Sequence, residues 1–207
     1  MRDIKFLFFV LIVFSFSFLS AEEYSPGVGQ DYPKKLLWGD THLHSNQSAD
    51  AYTIGNSNLT PSDAFRFARG EEVISEKGVR AKLRVPLDFL MVSDHATFLG
   101  MFKRIENRDP EILKTPLGKR WRKYMDENDP NLFTEFVDGL DGRLEDTFSK
   151  EDYIPIWKEI TENVDKFNQP GVFTALIGYE WTPAPTGDNL HRVCLLYTSD
   201  AADDNTC

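Results

Sequence analysis

The sequence has few cysteines, few histidines and a deficit of positive charge. Its two cysteines, Cys194 and Cys207, both lie in the last fourteen residues, so no disulfide framework spans the fold, although an exported protein could pair these two. The 23 basic residues are outnumbered by 33 acidic ones, and the net charge is −10. Proteins that bind nucleic acid normally present a basic surface, so we expect no nucleic-acid partner. Anionic small molecules stay compatible, because local cations or metals can reverse the field in a cleft.

The composition is otherwise that of a soluble globular protein. Of the 207 residues, 41% are hydrophobic and 27% are charged. This length is sufficient for one domain with a core of its own and short for two.

The first 21 residues have the pattern of a secretory signal peptide. A basic start precedes an unbroken apolar run over residues 6–19, and the small residues Ser20 and Ala21 follow it. The alternative is an uncleaved membrane anchor, but the run is shorter than the ~20 residues of a spanning helix. We expect cleavage near Ala21, no lipid anchor because no cysteine follows, and a periplasmic or extracellular location. Residues 22–35 then form a polar lead-in segment.

Apolar segments alternate with helical patterns along the rest of the chain. Strands are predicted in 36–44, 86–96 and 171–182, and the first of them is typical of a buried strand. Helices are predicted at 61–70, 98–128 and 150–167. This alternation favours an α/β fold, with a parallel sheet covered on both faces. In such sheets, binding sites form at the carboxyl ends of the strands.

Local signals support several of these elements. Thr60 with Asp63, and Ser149 with Asp152, have the spacing of helix-capping pairs. A Lys77–Gly78 turn between two short extended pieces predicts a small hairpin.

All four histidines lie at or near the ends of the predicted strands. His42 and His44 are two residues apart in an extended segment, so both rings point the same way. His95 follows the second strand, Glu180 ends the third, and His191 comes eleven residues later across a loop. Imidazoles combined with carboxylates suit zinc, manganese or iron better than calcium or magnesium.

Three aspartates accompany these histidines. Asp50 is a candidate ligand or general base. Asp40 lies on the strand face of the first two histidines and could orient one of them, while Asp94, beside His95, is expected to support the site or to cap a helix. Each residue alone has an ordinary explanation as a satisfied or solvated side chain. The joint pattern predicts a centre for more than one metal ion, with Glu180 as the candidate bridge.

These motifs resemble those of the polymerase and histidinol phosphatase (PHP) superfamily. "DTHLHS" is similar to its first motif, Asp50 to the aspartate that follows, "SDHA" to its second motif, and Glu180 with His191 to its third region. Over residues 33–193 the sequence resembles a family of exported PHP-like proteins, domain of unknown function 3604. The resemblance implies a distorted, TIM-like (β/α)7 barrel and a two- or three-metal centre that hydrolyses substrates, most often phosphoesters. It implies metal ligands at His42, His44, Asp50, His95, Glu180 and His191, with Asp50 and His95 as catalytic candidates.

The chain departs from the superfamily pattern after His191. Further ligands follow there in the superfamily, whereas this chain has no later histidine. It closes on "VCLLYTSDAADDNTC", in which ten residues from Cys194 match the translation of a transposon end used in sequencing-library preparation. The alternative is a genuine strand with an acidic tail. We expect 36–193 to be the amino-terminal part of the hydrolase domain and 194–207 to be an artefact. A barrel cut there would expose an apolar sheet edge, so we expect poor stability and less than full activity.

Three functions are compatible with these motifs. The leading hypothesis is an exported metal-dependent phosphoesterase, in which a small-molecule substrate is attacked by metal-activated water. The second is an amidohydrolase-like enzyme that cleaves C–N or C–O bonds with the same water. The third is a non-catalytic metal- or carbohydrate-binding module, whose site would be closed. We expect no stable membrane anchor after signal cleavage, and the oligomeric state is left open.

Overall fold

A computed structural model describes residues 35–198. Within that range, the strands are β1 (Gly39–Leu43), β2 (Val73–Ile74), β3 (Arg80–Ala81), β4 (Phe89–Val92), β5 (Thr174–Trp181) and β6 (Arg192–Leu196). The helices are α1 (Ala49–Ile54), α2 (Pro61–Ala68), α3 (Met101–Glu106), α4 (Pro116–Glu127), α5 (Asn131–Leu140) and α6 (Lys150–Phe167). Short 3-10 turns lie at Ile112–Lys114 and Pro185–Gly187. The predicted signal peptide, residues 1–21, lies outside the described residues and stays a prediction. Between residues 35 and 198, no helix has both the length and the apolar character needed to cross a membrane.

The main sheet has the strand order β1-β4-β5-β6. Strands β1, β4 and β5 run parallel, and β6 runs antiparallel to β5. Helices and strands are thus mixed along the chain, and the parallel pairs place the carboxyl ends of three strands at one edge. The described residues form an open sheet, so the seven-stranded barrel stays a prediction.

The first strand is not buried, and this part of the sequence prediction was wrong. Within residues 35–198 strand β1 is an edge strand, and the apolar residues that lead into it, Leu36, Leu37 and Trp38, are at least 58% exposed. Strand β4 has neighbours on both sides, and its residues Leu90 and Met91 are fully buried. An apolar run alone does not distinguish an edge strand from a central one, because burial depends on which elements flank the strand.

The predicted local signals form the expected structures. The Thr60 hydroxyl accepts a hydrogen bond from the Asp63 amide, and the Asp63 carboxylate accepts one from the Thr60 amide, which is a capping box at the start of α2. The Asp152 carboxylate accepts from the Ser149 amide and hydroxyl before α6. Strands β2 and β3 form the predicted hairpin, with Gly78 at a φ of 77°.

Two hydrophobic clusters support the sheet. The aromatic cluster lies among α3 to α6, where the Trp121 ring centroid is 4.8 Å from that of Phe98 and 5.1 Å from that of Phe102. The second cluster lies between the sheet and helices α2 and α6, and in it the rings of Phe65 and Phe167 stack at 5.3 Å. Because this second cluster holds β4 and β5 against helices, it positions the strand ends that carry the polar residues.

Residues 194–196, predicted to be foreign to the domain, form the second part of β6. Cys194 is buried and pairs with Tyr179 of β5 in the ladder. Cys207 lies outside the described residues. The artefact hypothesis for residues 194–207 stays a prediction.

Candidate metal centre

The ladder between β4 and β5 continues past the end of β4 and places His95 beside Glu180. The Glu180 amide donates to the Asp94 carbonyl (3.0 Å), and the Ala96 amide donates to the Glu180 carbonyl (2.8 Å). Because the two strands are parallel, residues that lie 85 positions apart in the chain end at the same edge.

The other three histidines reach the same edge by different routes. The Ser93 amide donates to the Leu43 carbonyl (2.8 Å), which brings the end of β1 and its two histidines alongside the end of β4. The antiparallel strand β6 returns the chain toward β5, and His191 directly precedes it. The structure therefore confirms that the carboxyl ends of β1, β4 and β5 lie close together, as the sequence predicted.

One carboxylate, that of Glu180, faces all four histidines. Its Oε1 lies 3.2 Å from His42 Nε2 and 3.3 Å from His191 Nδ1. Its Oε2 lies 3.0 Å from His44 Nε2 and 2.9 Å from His95 Nδ1. The Glu180 side chain is only 3% exposed, so these contacts lie in a region of low solvent access.

Asp50 lies on the other side of two of these rings. His44 Nδ1 is 3.1 Å and 3.0 Å from the two Asp50 oxygens, and His95 Nε2 is 3.3 Å from one of them. Each ring therefore turns one nitrogen toward Asp50 and the other toward Glu180. Burial alone would raise the pKa of Asp50, but hydrogen bonds from His44, His95 and Ser48 hold that pKa well below its usual range. Asp50 is therefore an ionised carboxylate at neutral pH.

The pKa values of His44 and His191 are shifted in opposite directions. Burial lowers the pKa of His44, but the Asp50 hydrogen bond and the negative charges of Asp50 and Glu180 outweigh burial, so this pKa is raised. For His191 the balance is reversed, because burial lowers its pKa by more than Glu180 raises it.

Three overlapping groups of side chains can hold a metal ion. In each, the ligand atoms lie within 4.8 Å of one another. The groups are His42, His44 and Glu180; then His44, Asp50 and His95; then His95, Glu180 and His191. Together they comprise all six predicted ligands.

The comparisons with known proteins confirm the predicted family, domain of unknown function 3604. Residues 31–207 match the profile of a family described as "Protein of unknown function (DUF3604)". The chain belongs to that family. The match includes all six ligand residues and also residues 194–207. No curated protein and no solved structure matches the chain.

Two aspartates of this DUF3604 chain lie outside the three groups. The Asp94 carboxylate accepts hydrogen bonds from the amide and hydroxyl of Ser45, at 2.5 and 2.7 Å, and so connects the segment after β1 to the segment after β4. Burial raises the pKa of Asp94 to about 6, against the effect of the Ser45 hydrogen bonds. Asp40 accepts from the main-chain amide of His42 (2.8 Å), so its described contact is with the backbone and not with a ring.

Gly178, two residues before Glu180 in β5, has no free space beside it. A Cβ atom at position 178 would overlap the Met91 sulfur and the Cys194 carbonyl oxygen. Gly178 therefore allows close packing between β4, β5 and β6, and does not leave room for a ligand.

Sequence reasoning missed Ser45 and Ser48, which are both buried beside the ligands. Both stand in "HLHSNQSAD", but nothing in that stretch distinguishes a serine that contacts ligands from one that begins a helix. Their roles become visible only from the contacts with Asp94, Asp50 and His95.

Proposed function

We propose that this DUF3604 chain is an exported, metal-dependent hydrolase of the PHP type whose substrates are phosphoesters. One observation carries the metal-dependent part. Among the described residues, five buried side-chain polar atoms have no hydrogen-bond partner, and three of them are His44 Nε2, His95 Nδ1 and Glu180 Oε2. Both nitrogens lie within 3.0 Å of that oxygen, so one nitrogen from each of two histidines faces the same carboxylate oxygen.

Buried polar atoms without partners are unfavourable, and each costs about 1–3 kcal/mol. A carboxylate oxygen has only lone pairs to offer, and so does an unprotonated imidazole nitrogen. Placing such atoms side by side is stable when a cation binds between them. A mixed set of imidazole and carboxylate donors favours zinc, manganese or iron.

The allocation of residues follows from the groups of ligand atoms that lie close together, and not from which Glu180 oxygen each histidine faces. His42 and His44 with Glu180 would hold one ion, and His95 and His191 with Glu180 would hold a second. Because Glu180 belongs to both groups, its carboxylate is the candidate bridge. When bound, such ions lower the pKa of a water molecule and stabilise negative charge on phosphoryl oxygens.

Two further features support catalysis over a purely structural site. The His42 side chain is 55% exposed, so the centre is open to solvent on that side, whereas structural metal sites are closed. Asp50 is ionised at neutral pH and contacts His44 and His95, so its carboxylate can serve as a metal ligand.

The choice of phosphoesters rests on the PHP resemblance of the motifs. Arg192 follows His191, and its guanidinium lies over the Trp181 ring, 5.7 Å from the ring centroid. The guanidinium also donates a hydrogen bond to the Leu190 carbonyl, so its described contacts do not themselves support phosphate binding. If the same site hydrolyses carboxylic esters, lactones or amides and not phosphoesters, the proposed substrate class is wrong.

The test begins with the chain stripped of metal and then titrated with Zn²⁺, Mn²⁺ or Fe²⁺. We expect two or more ions to bind, and hydrolysis of phosphomonoesters or phosphodiesters to appear only after metal is added. His42→Ala should lose metal and hydrolysis while keeping the circular dichroism spectrum of the wild type. Glu162→Gln, an exposed residue of α6 paired with Lys158, is the matched control and should change neither. Full hydrolysis without metal would contradict the proposal, and a single tightly enclosed ion without hydrolysis would favour a structural site.

A further inference from the structure

We propose that Ser48 is a positioning residue that holds His44, Asp50 and His95 in the geometry needed to bind metal. The inference rests on the proposed function, because it concerns the same centre. Ser48 is fully buried, and its hydroxyl lies within hydrogen-bond distance of all three residues.

The Ser48 side chain does not cap the helix that it precedes. Ser48 precedes the first residue of α1, where a serine hydroxyl normally accepts a hydrogen bond from an amide in the first turn. Its backbone has the expected extended conformation, yet its hydroxyl makes no such capping bond. The hydroxyl is directed instead at the candidate ligands.

The direction of each hydrogen bond of the Ser48 hydroxyl follows from its neighbours. A serine hydroxyl has one proton to donate and can accept two. Its proton goes to Asp50 Oδ1 at 2.6 Å, and it accepts from the His95 main-chain amide at 3.2 Å. The remaining neighbour, His44 Nδ1 at 3.3 Å, must therefore be the donor.

This arrangement determines the tautomer of His44. Both groups that face Nδ1, the Asp50 carboxylate and the Ser48 oxygen, are acceptors there, whereas Nε2 makes no hydrogen bond to the Glu180 carboxylate beside it, so the hydrogen of the neutral ring lies on Nδ1. Nε2 then carries a lone pair, and it is one of the three unpaired atoms that converge beside Glu180. Ser48 thus acts through Asp50 and His44 to present Nε2 for metal binding.

The inference is tested by titrating the metal-free chain with Co²⁺ and recording visible absorption. We expect Ser48→Ala to bind Co²⁺ about tenfold more weakly, with a changed absorption spectrum, since loss of an outer hydrogen-bond partner costs about 10- to 100-fold in affinity. Ser93→Ala is the matched control. Ser93 is also fully buried, but its hydroxyl has no hydrogen-bond partner among residues 35–198. That variant should keep the wild-type affinity and spectrum.

Ser48→Cys keeps a side chain of similar size with a weaker donor, and it should bind with intermediate affinity. It replaces the alanine variant if that variant does not fold. Wild-type affinity and spectrum in a folded Ser48→Ala or Ser48→Cys chain would overturn the role of Ser48 and leave the metal centre standing. Absence of Co²⁺ binding in the wild type would overturn the centre and the role of Ser48 together.

Discussion

Glu180 and Glu135 are two partly or fully buried glutamates with opposite hydrogen-bond environments. Glu135, in α5, accepts hydrogen bonds from Arg120 Nε (2.9 Å), the Trp121 indole (2.9 Å) and the Tyr124 hydroxyl (3.1 Å), and these serve both of its oxygens. Glu180 Oε2 has no hydrogen-bond partner in the described part of the chain, although two imidazole nitrogens lie within 3.0 Å of it.

The difference separates a carboxylate whose hydrogen bonds the protein supplies from one whose neighbours form groups that can hold a metal ion. Around Glu135 every neighbour brings a proton, so the cluster is satisfied by the protein itself and ties α4 to α5. Around Glu180 the neighbours are imidazoles, which can bring either a proton or a lone pair. Such a site is satisfied when a cation is bound, and its geometry is maintained by outer contacts such as those of Ser48 and Asp94.

Among the substitutions that test this comparison, Glu180→Gln is expected to have the largest effect, on metal affinity. An amide of nearly the same shape cannot bridge two cations, so we expect metal affinity to fall at least about 100-fold, or about 2.7 kcal/mol. The stability of the metal-free chain should change little, because the substitution removes a buried charge. Isothermal titration with Zn²⁺ and urea unfolding measure the two quantities, and unchanged affinity would remove Glu180 from the centre.

Glu135→Gln is expected to have a smaller effect, which lowers the stability of the chain and not its metal affinity. The amide presents a donor where the Arg120 and Trp121 donors need acceptors, so the free energy of unfolding should fall by about 2 kcal/mol. Metal affinity should stay at the wild-type value. Urea unfolding and the same titration test this prediction. A fall in metal affinity without a fall in stability would mean that the two glutamates do not differ as described.

The smallest effect concerns the capping box at the start of α2, whose described hydrogen bonds involve neither glutamate. Burial would raise the pKa of Asp63, but hydrogen bonds from Thr60 and Arg66 lower it overall. Since the folded pKa lies below the unfolded one, the contribution of Asp63 is present above pH 3.8 and is lost as pH falls through the folded pKa. Asp63→Asn should cost roughly 1 kcal/mol at pH 7 and progressively less below pH 4. Urea unfolding across this pH range tests it, and a difference that does not change with pH would exclude the charge as its cause.

The elements with strong local signals were predictable from the sequence, and those without were not. Helix α6 lies where its capping pair and its apolar face place it, with Ile156 and Ile160 buried in the aromatic cluster. Helix α5 carries no comparable signal and was not predicted. The prediction that β1 is buried was wrong. Both cases depend on neighbours: α5 is held by Phe136 in the aromatic cluster, and β1 has a strand on one side only within residues 35–198.

The six residues proposed as ligands were identified from the sequence alone, and the structure brings them into groups that can hold a metal ion. Histidines and carboxylates placed at the ends of apolar strands converge in any parallel sheet, because such strands end at a common edge. Which atoms meet was decided by the tertiary structure. The division of four histidines between two Glu180 oxygens, the position of Asp50 behind two of the rings, and the diversion of the Ser48 hydroxyl from its helix depend on distances of about 3 Å. Contacts at that scale are set by packing between segments distant in the chain, and residue spacing carries no information about them.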